Sequence, residues 1–182
     1  LFPRKWSLFF GRILGTLFYY FIPLRKSVAL KNISIVFPSW SMAEKKSLLH
    51  SCYRHFGMIL ADFFRLPKVK REKNTAIVNI PPESIKLFKQ NKGGIILTGH
   101  LGNWEYIGPF LSLRGIKCAG VAQIQHNSTS DVFFNELRKT DLMRIIPVNA
   151  GSKVMIRSIR EGYYLGLISD QNAGRKGTKA QF

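Results

Sequence analysis

The sequence predicts an α/β fold, a mainly parallel central sheet flanked by helices, with an N-terminal membrane-anchoring helix. Three observations predict it. From Ala76 onward, short apolar runs alternate with helix-length segments, the rhythm of a parallel sheet covered on both faces. The first 24 residues are instead a nearly unbroken apolar and aromatic run with basic flanks. Within the alternating region, Gly93-Gly94-Ile95-Ile96-Leu97-Thr98-Gly99-His100-Leu101-Gly102-Asn103-Trp104-Glu105 compresses a strand, a tight turn and a helix start into one stretch, with a histidine in the turn.

The elements follow in order. Trp6 to Leu24 is interrupted only by Arg12 and by the small residues Gly11 and Gly15. It is near the minimum length for crossing a hydrocarbon core, and an arginine weakens that reading. Its aromatics, and the flanks Arg4-Lys5 and Arg25-Lys26, favour a helix lying in the membrane interface or a short tilted anchor over a buried core helix. No small-residue cleavage site follows Ile22-Pro23, which argues against a signal peptide. Residues 1–24 are therefore read as the anchor and residues 25–182 as one α/β domain.

Within Ser39–Pro67, Ser41 and Glu44 make a capping box. Leu48, Leu49, Cys52, Phe56, Ile59, Leu60 and Phe63 then recur at helical spacing and predict a core-facing stripe, ended by Pro67. Lys68 to Asn74 reads as a basic connector and Ala76 to Ile80 as a strand. Pro81-Pro82-Glu83 starts a helix to about Gln90. Ile95 to Leu97 reads as a buried strand after two glycines, and Asn103 as the N-cap of a helix through Tyr106–Leu113, bent at Pro109. Strands at Lys117–Ala122, Met143–Val148 and Tyr163–Ser169 alternate with helices at Asp131–Asp141 and Gly151–Glu161.

Twenty-eight Lys and Arg against ten Asp and Glu give a net charge of +18. Charge on this scale requires an anionic partner. Zinc-finger spacing, an RNP motif and a basic region with heptads are all absent, so nucleic acid is not expected. Basic residues spread along the chain, with aromatics gathered near the N-terminus, suit a membrane surface, where each nearby Lys or Arg adds about 1 kcal/mol. Cys52 and Cys118 read as reduced thiols without metal-ligand spacing, and His50, His55 and His126 form no metal pattern.

The chemistry converges on His100 and Glu105. In an open α/β sheet, ligands bind beyond the carboxyl ends of strands. A neutral imidazole there takes a proton from a hydroxyl that is becoming a nucleophile, and a carboxylate fixes its tautomer. Glu105, separated from it by four residues, is expected to be that carboxylate. No G-x-S-x-G elbow occurs, so the nucleophile is expected to belong to the substrate. The plain structural reading is a turn histidine with a helix-capping glutamate.

With Gly99-His100-Leu101-Gly102-Asn103-Trp104-Glu105 the chain resembles the bacterial lipid A late acyltransferases, the lauroyl and myristoyl transferases, whose signature is H-x-x-x-x-[DE]. Ala29-Leu30-Lys31-Asn32-Ile33 with Phe37-Pro38 resembles the family's N-terminal region. Asp170-Gln171 and Gly174-Arg175-Lys176-Gly177 resemble its second block, so the likeness covers nearly the whole chain. The resemblance implies a glycerolphosphate-acyltransferase-like fold and transfer of an acyl group from a thioester on acyl carrier protein, or coenzyme A, to a hydroxyl of an anionic lipid A precursor. It implies no cofactor or metal, and a place on the cytoplasmic face of the bacterial inner membrane. It makes His100 and Glu105 the catalytic pair and assigns Asn103, Arg138, Asp170, Gln171, Arg175 and Lys176 to the substrate. It also implies a longer C-terminus, so the chain is read as lacking its last part. Relatives commonly carry an arginine where Gln123 stands here, which leaves the acceptor open. Two alternatives remain: a related acyltransferase on a phospholipid or other glycolipid acceptor, and a catalytically silent membrane-binding relative.

Overall fold

The computed structural model describes residues 3–22, 24–122 and 128–171. The chain divides into two compact units, residues 1–65 and 66–182.

The first unit is helical: α1 (Arg4–Phe21), α2 (Lys26–Val36) and α3 (Met42–Phe63). The capping box forms as expected, with Ser41 Oγ accepting from the Glu44 backbone and the Glu44 carboxylate accepting from the Ser41 backbone. Gly11, Gly15 and Tyr19 are the buried residues of α1, one helical turn apart. They let α1 lie directly against α3: a Cβ on Gly11 would stand 2.5 Å from the Gly57 carbonyl oxygen and 2.8 Å from the Ala61 Cβ. The large apolar side chains therefore point the other way. Trp6, Phe9, Phe10, Leu17, Tyr20 and Phe21 are exposed. Arg4 is committed within the unit, to the buried Asp62 of α3 at 2.6 Å. Lys26 Nζ donates to the Tyr19 carbonyl and lies 3.7 Å over its ring. Of the predicted α3 stripe, Leu49, Ile59 and Phe63 are buried, but Phe56 is 55% exposed. No single helix among the described residues is long and apolar enough to cross a membrane; α1 and α2 meet that test only as a pair bent by 99°.

The second unit holds α4 (Leu66–Arg71), α5 (Pro82–Gln90), β1 (Gly94–Thr98), α6 (Ile107–Ser112), β2 (Cys118–Ala122), α7 (Ser128–Arg138), β3 (Met143–Pro147), α8 (Ser152–Arg160) and β4 (Tyr164–Ile168). All strand pairs are parallel and the sheet order is β1-β4-β2-β3. Side-chain alternation divides the core between the two faces. Cys118 and Tyr164 pack with Leu111 and Ile116 on one, while Ala119 and Leu165 pack with Ile146 on the other. Full burial of each Leu, Ile or Phe side chain contributes about 1.5–3 kcal/mol.

Four expectations change. Lys68 to Arg71 belong to α4 rather than a connector, with Pro67 in the first turn where its missing N–H costs nothing. Ala76 to Ile80 is not a strand. Thr75–Ile77 is a 3-10 turn, Arg114 takes the Thr75 and Val78 carbonyls, and Pro81 and Pro82 offer no N–H to a ladder. The strand at β1 is not fully buried: it lies at the sheet edge and exposes Ile95 and Leu97, at 61% and 60%, while Ile96 faces the core. Helix α7 ends at Arg138 rather than Asp141, because Lys70 Nζ caps its last turn by donating to the carbonyls of Glu136, Leu137 and Lys139.

Candidate functional site

The site grows out of strand register. Thr98 of β1 is paired with Ile168 of β4, and both strands run the same way. Two residues beyond each partner stand His100 and Asp170, which therefore emerge side by side from adjacent carboxyl ends. The Ser169 N–H donates to the Thr98 carbonyl and ties the two exits together.

Asp170 grips His100 twice. Its Oδ2 accepts from the His100 backbone N–H at 2.9 Å and its Oδ1 lies 2.7 Å from Nδ1. An ionised carboxylate can only accept, so Nδ1 is the donor and Nε2 of the neutral ring is the acceptor. The side-chain bond from His100, and then the backbone bond, hold the Asp170 carboxyl below its ordinary value. The approach needs Gly99, where a Cβ would lie 3.2 Å from the Asp170 Cγ. Trp104 completes the setting with its ring edge-on to the imidazole at 4.8 Å between centroids.

Glu105 was expected to orient His100. In the structure it is paired with Arg138: Nε and Nη2 each donate to one carboxylate oxygen at 2.6 Å. The partners are only 18% and 21% exposed, so this is a largely desolvated bidentate pair rather than a surface bridge. The reason is positional. Glu105 sits in a 3-10 turn, Trp104–Tyr106, and Arg138 is the last residue of α7. Asn103 precedes that turn without capping it; its side-chain oxygen and nitrogen are both buried and have no hydrogen-bond partner among the described residues. Pro109 falls in the first turn of α6, where its missing N–H costs no helix hydrogen bond.

Trp104, Glu105 and Arg138 share the wall of a cavity of about 110 Å³ with Thr98. The cavity continues over the sheet face to Leu111, Cys118 and Tyr164, and its lining is mostly apolar. Met143 reaches into the gap beside Gly108: a Cβ there would meet its Cε at 2.7 Å.

Of the residues singled out from the sequence, His100 and Asp170 come together, and so do Glu105 and Arg138. Gln171 is exposed. Gln123, His126, Arg175 and Lys176 lie outside the described residues. Sequence reasoning assigned Asp170 to the substrate and missed it as the partner of His100. The signal, equal offsets from two strand ends, has meaning only once β1 and β4 are known to be neighbours.

The model of the bacterial lipid A biosynthesis acyltransferases matches residues 1–182. The chain belongs to that family. It is 26% identical over 148 residues to the lipid A biosynthesis myristoyltransferase of Escherichia coli (strain K12), a match covering 80% of this chain and 46% of that protein. The lipid A biosynthesis acyltransferase 1 of Shigella flexneri matches with the same identity and the same coverage. The chain thus spans about half the length of the curated relatives it matches. In the present chain the H-x-x-x-x-E turn delivers two separate contacts, the His100–Asp170 hydrogen bonds and the Glu105–Arg138 ion pair.

Proposed function

We propose that the chain is the acyl-transferring part of a membrane-bound enzyme that moves a fatty acyl group from a thioester, on acyl carrier protein, to a hydroxyl of a lipid A precursor. The observation that carries this reading is the His100–Asp170 pair at adjacent strand ends, which presents Nε2 as a base. The family membership supports it.

In this reading Nε2 of His100 takes the proton of the acceptor hydroxyl as its oxygen attacks the thioester carbonyl. Asp170 stabilises the imidazolium that forms. The tetrahedral intermediate collapses, the C–S bond breaks, the imidazolium proton passes to the departing sulfur, and an O-acyl ester remains. No cofactor enters the reaction. Glu105 acts at one remove: it holds the Arg138 guanidinium as a fixed positive charge at the cavity wall, where it meets an anionic group of the substrate. The apolar end of the cavity takes the acyl chain at the reacting carbonyl. Arg175 and Lys176 belong with the acceptor's phosphates.

The helical unit supplies the membrane contact on the cytoplasmic face of the inner membrane. Its exposed aromatic face on α1, above a small-residue stripe, suits the interface between headgroups and acyl chains.

The test is acyl transfer by the full-length protein from an acyl carrier protein thioester to a lipid A precursor, followed by mass spectrometry. His100→Ala lowers turnover by roughly 10²–10⁴-fold, the worth of a positioned general base, with the fold retained. Turnover near the wild-type value in that variant overturns the mechanism.

A further inference from the structure

The helical unit contains a cavity of its own. It lies in the elbow of α1, α2 and α3 and has a volume of about 430 Å³. Small-ligand sites run from about 300 to 1,000 Å³ and combine an apolar lining with few polar groups. Here the lining is apolar, from Leu14, Phe18, Ala29, Leu49, Phe56 and Leu60, and its one charged member is Arg25.

Arg25 is unusual in two respects. It has φ 51° and ψ 25°, the left-handed region that side chains with a Cβ seldom adopt and that persists mainly at functional positions. Its carbonyl accepts from the Ala29 N–H, but its exposed side chain makes no hydrogen bond or ion pair among the described residues. The polar groups around it are already used. Lys26 is taken by Tyr19, and the Tyr53 hydroxyl donates to the Leu24 carbonyl at 2.6 Å. A second groove on α1, of about 520 Å³, contains Arg65, but that guanidinium donates to Ser7 Oγ. An unpaired planar cation at an apolar cavity with no acidic residue in its wall calls for a ligand with one anionic end and one hydrocarbon body.

We propose that this cavity binds one long-chain carboxylate, a free fatty acid, with its chain along Leu49 and Phe56 and its carboxylate on Arg25. Binding here does not depend on the His100 chemistry.

The experiment uses the full-length protein in nanodiscs of zwitterionic lipid, with a diazirine-bearing palmitate as photolabel. Label is expected on the peptides containing Leu49, Cys52 and Phe56. Unlabelled palmitate displaces it, and the uncharged alcohol of the same length does so at least about tenfold less well, the loss expected for one charge-assisted bond. Arg25→Lys retains part of the labelling, and Arg25→Gly loses about tenfold or more. Glycine adopts this φ without strain, so Arg25→Gly holds or raises the melting temperature, which separates binding from folding. Filling the cavity with Ala29→Trp abolishes displaceable labelling, and His100→Ala leaves it unchanged. Equal competition by the alcohol, or undiminished labelling in a folded Arg25→Gly, overturns the proposal. So does equal labelling of the same peptides by a phospholipid-borne diazirine, which marks a groove that merely faces bilayer chains.

Discussion

One carboxylate holds His100 at two points, and this fixes what Asp170→Asn does. The amide keeps the size but ceases to be an obligate acceptor, so the imidazole loses its preferred tautomer. Turnover in that variant should fall by roughly 10²-fold or more. Stability carries a second signature. The Asp170 carboxyl is depressed in the folded chain by its bonds from His100, so its contribution is present above the unfolded value and is lost as pH falls through the folded one. The stability gap between wild type and Asp170→Asn should therefore stay constant from neutral pH to about pH 4 and close below it, as read by denaturant titration at each pH. Glu105 gives a different pattern. Because it touches Arg138, Glu105→Gln and Arg138→Gln should be strongly non-additive in kcat, with a coupling energy of about 1–3 kcal/mol in the double-mutant cycle. Additive losses would show that the two act separately. Asn103 is the inverse case: its buried amide has no partner among the described residues, so Asn103→Leu should raise the melting temperature while lowering turnover if the amide serves the substrate.

At the scale of elements, the periodic segments were the legible ones. The start of helix α3 with its capping box, the three strands β2, β3 and β4, and helix α8 lie within a residue or two of where apolar spacing puts them, whereas α3 ends at Phe63 rather than at Pro67. The failures have physical causes that local sequence does not carry. Ala76–Ile80 has strand composition, but Arg114, far along the chain, takes the carbonyls of Val78 and of the preceding Thr75. Phe56 fits the α3 stripe, but glycines at α1 and α3 bring the backbones so close that the large side chains turn outward. The same closeness makes the helix pair fragile. Gly11→Leu drives a branched side chain into the Gly57 carbonyl and should destabilise the helical unit by about 1–3 kcal/mol or more, whereas Leu17→Ala, on the exposed face, should cost little in stability. Thermal melts of both variants check this. The Glu105 error is of the same kind: four residues of spacing permit contact with His100, but the 3-10 turn and the end of α7 decide the partner.

Over the whole molecule, and on the membrane-bound reading proposed above, charge and apolar surface act on different parts of attachment. Helix α1 exposes Trp6, Phe9, Phe10, Tyr20 and Phe21, and the net charge of +18 is spread along the chain. Deleting residues 1–24 should move the protein toward the soluble fraction, while high salt should release the intact protein only in part, because apolar contact survives screening. Fractionation in both conditions checks this, and complete release by salt counts against insertion. The charge is readable from composition, but the order of the sheet is not. No local signal places β4 between β1 and β2. That order has a temporal consequence. The two members of the His100–Asp170 contact are 70 residues apart, and the strand carrying Asp170 is the last of the four to leave the ribosome. At about 5–20 residues per second, roughly 4–14 s separate synthesis of the base from synthesis of its carboxylate. The helical unit precedes both. On the membrane-bound reading proposed above, a nascent chain can reach the lipid surface before His100 meets Asp170, and the proposed base is complete only once β4 has joined the sheet.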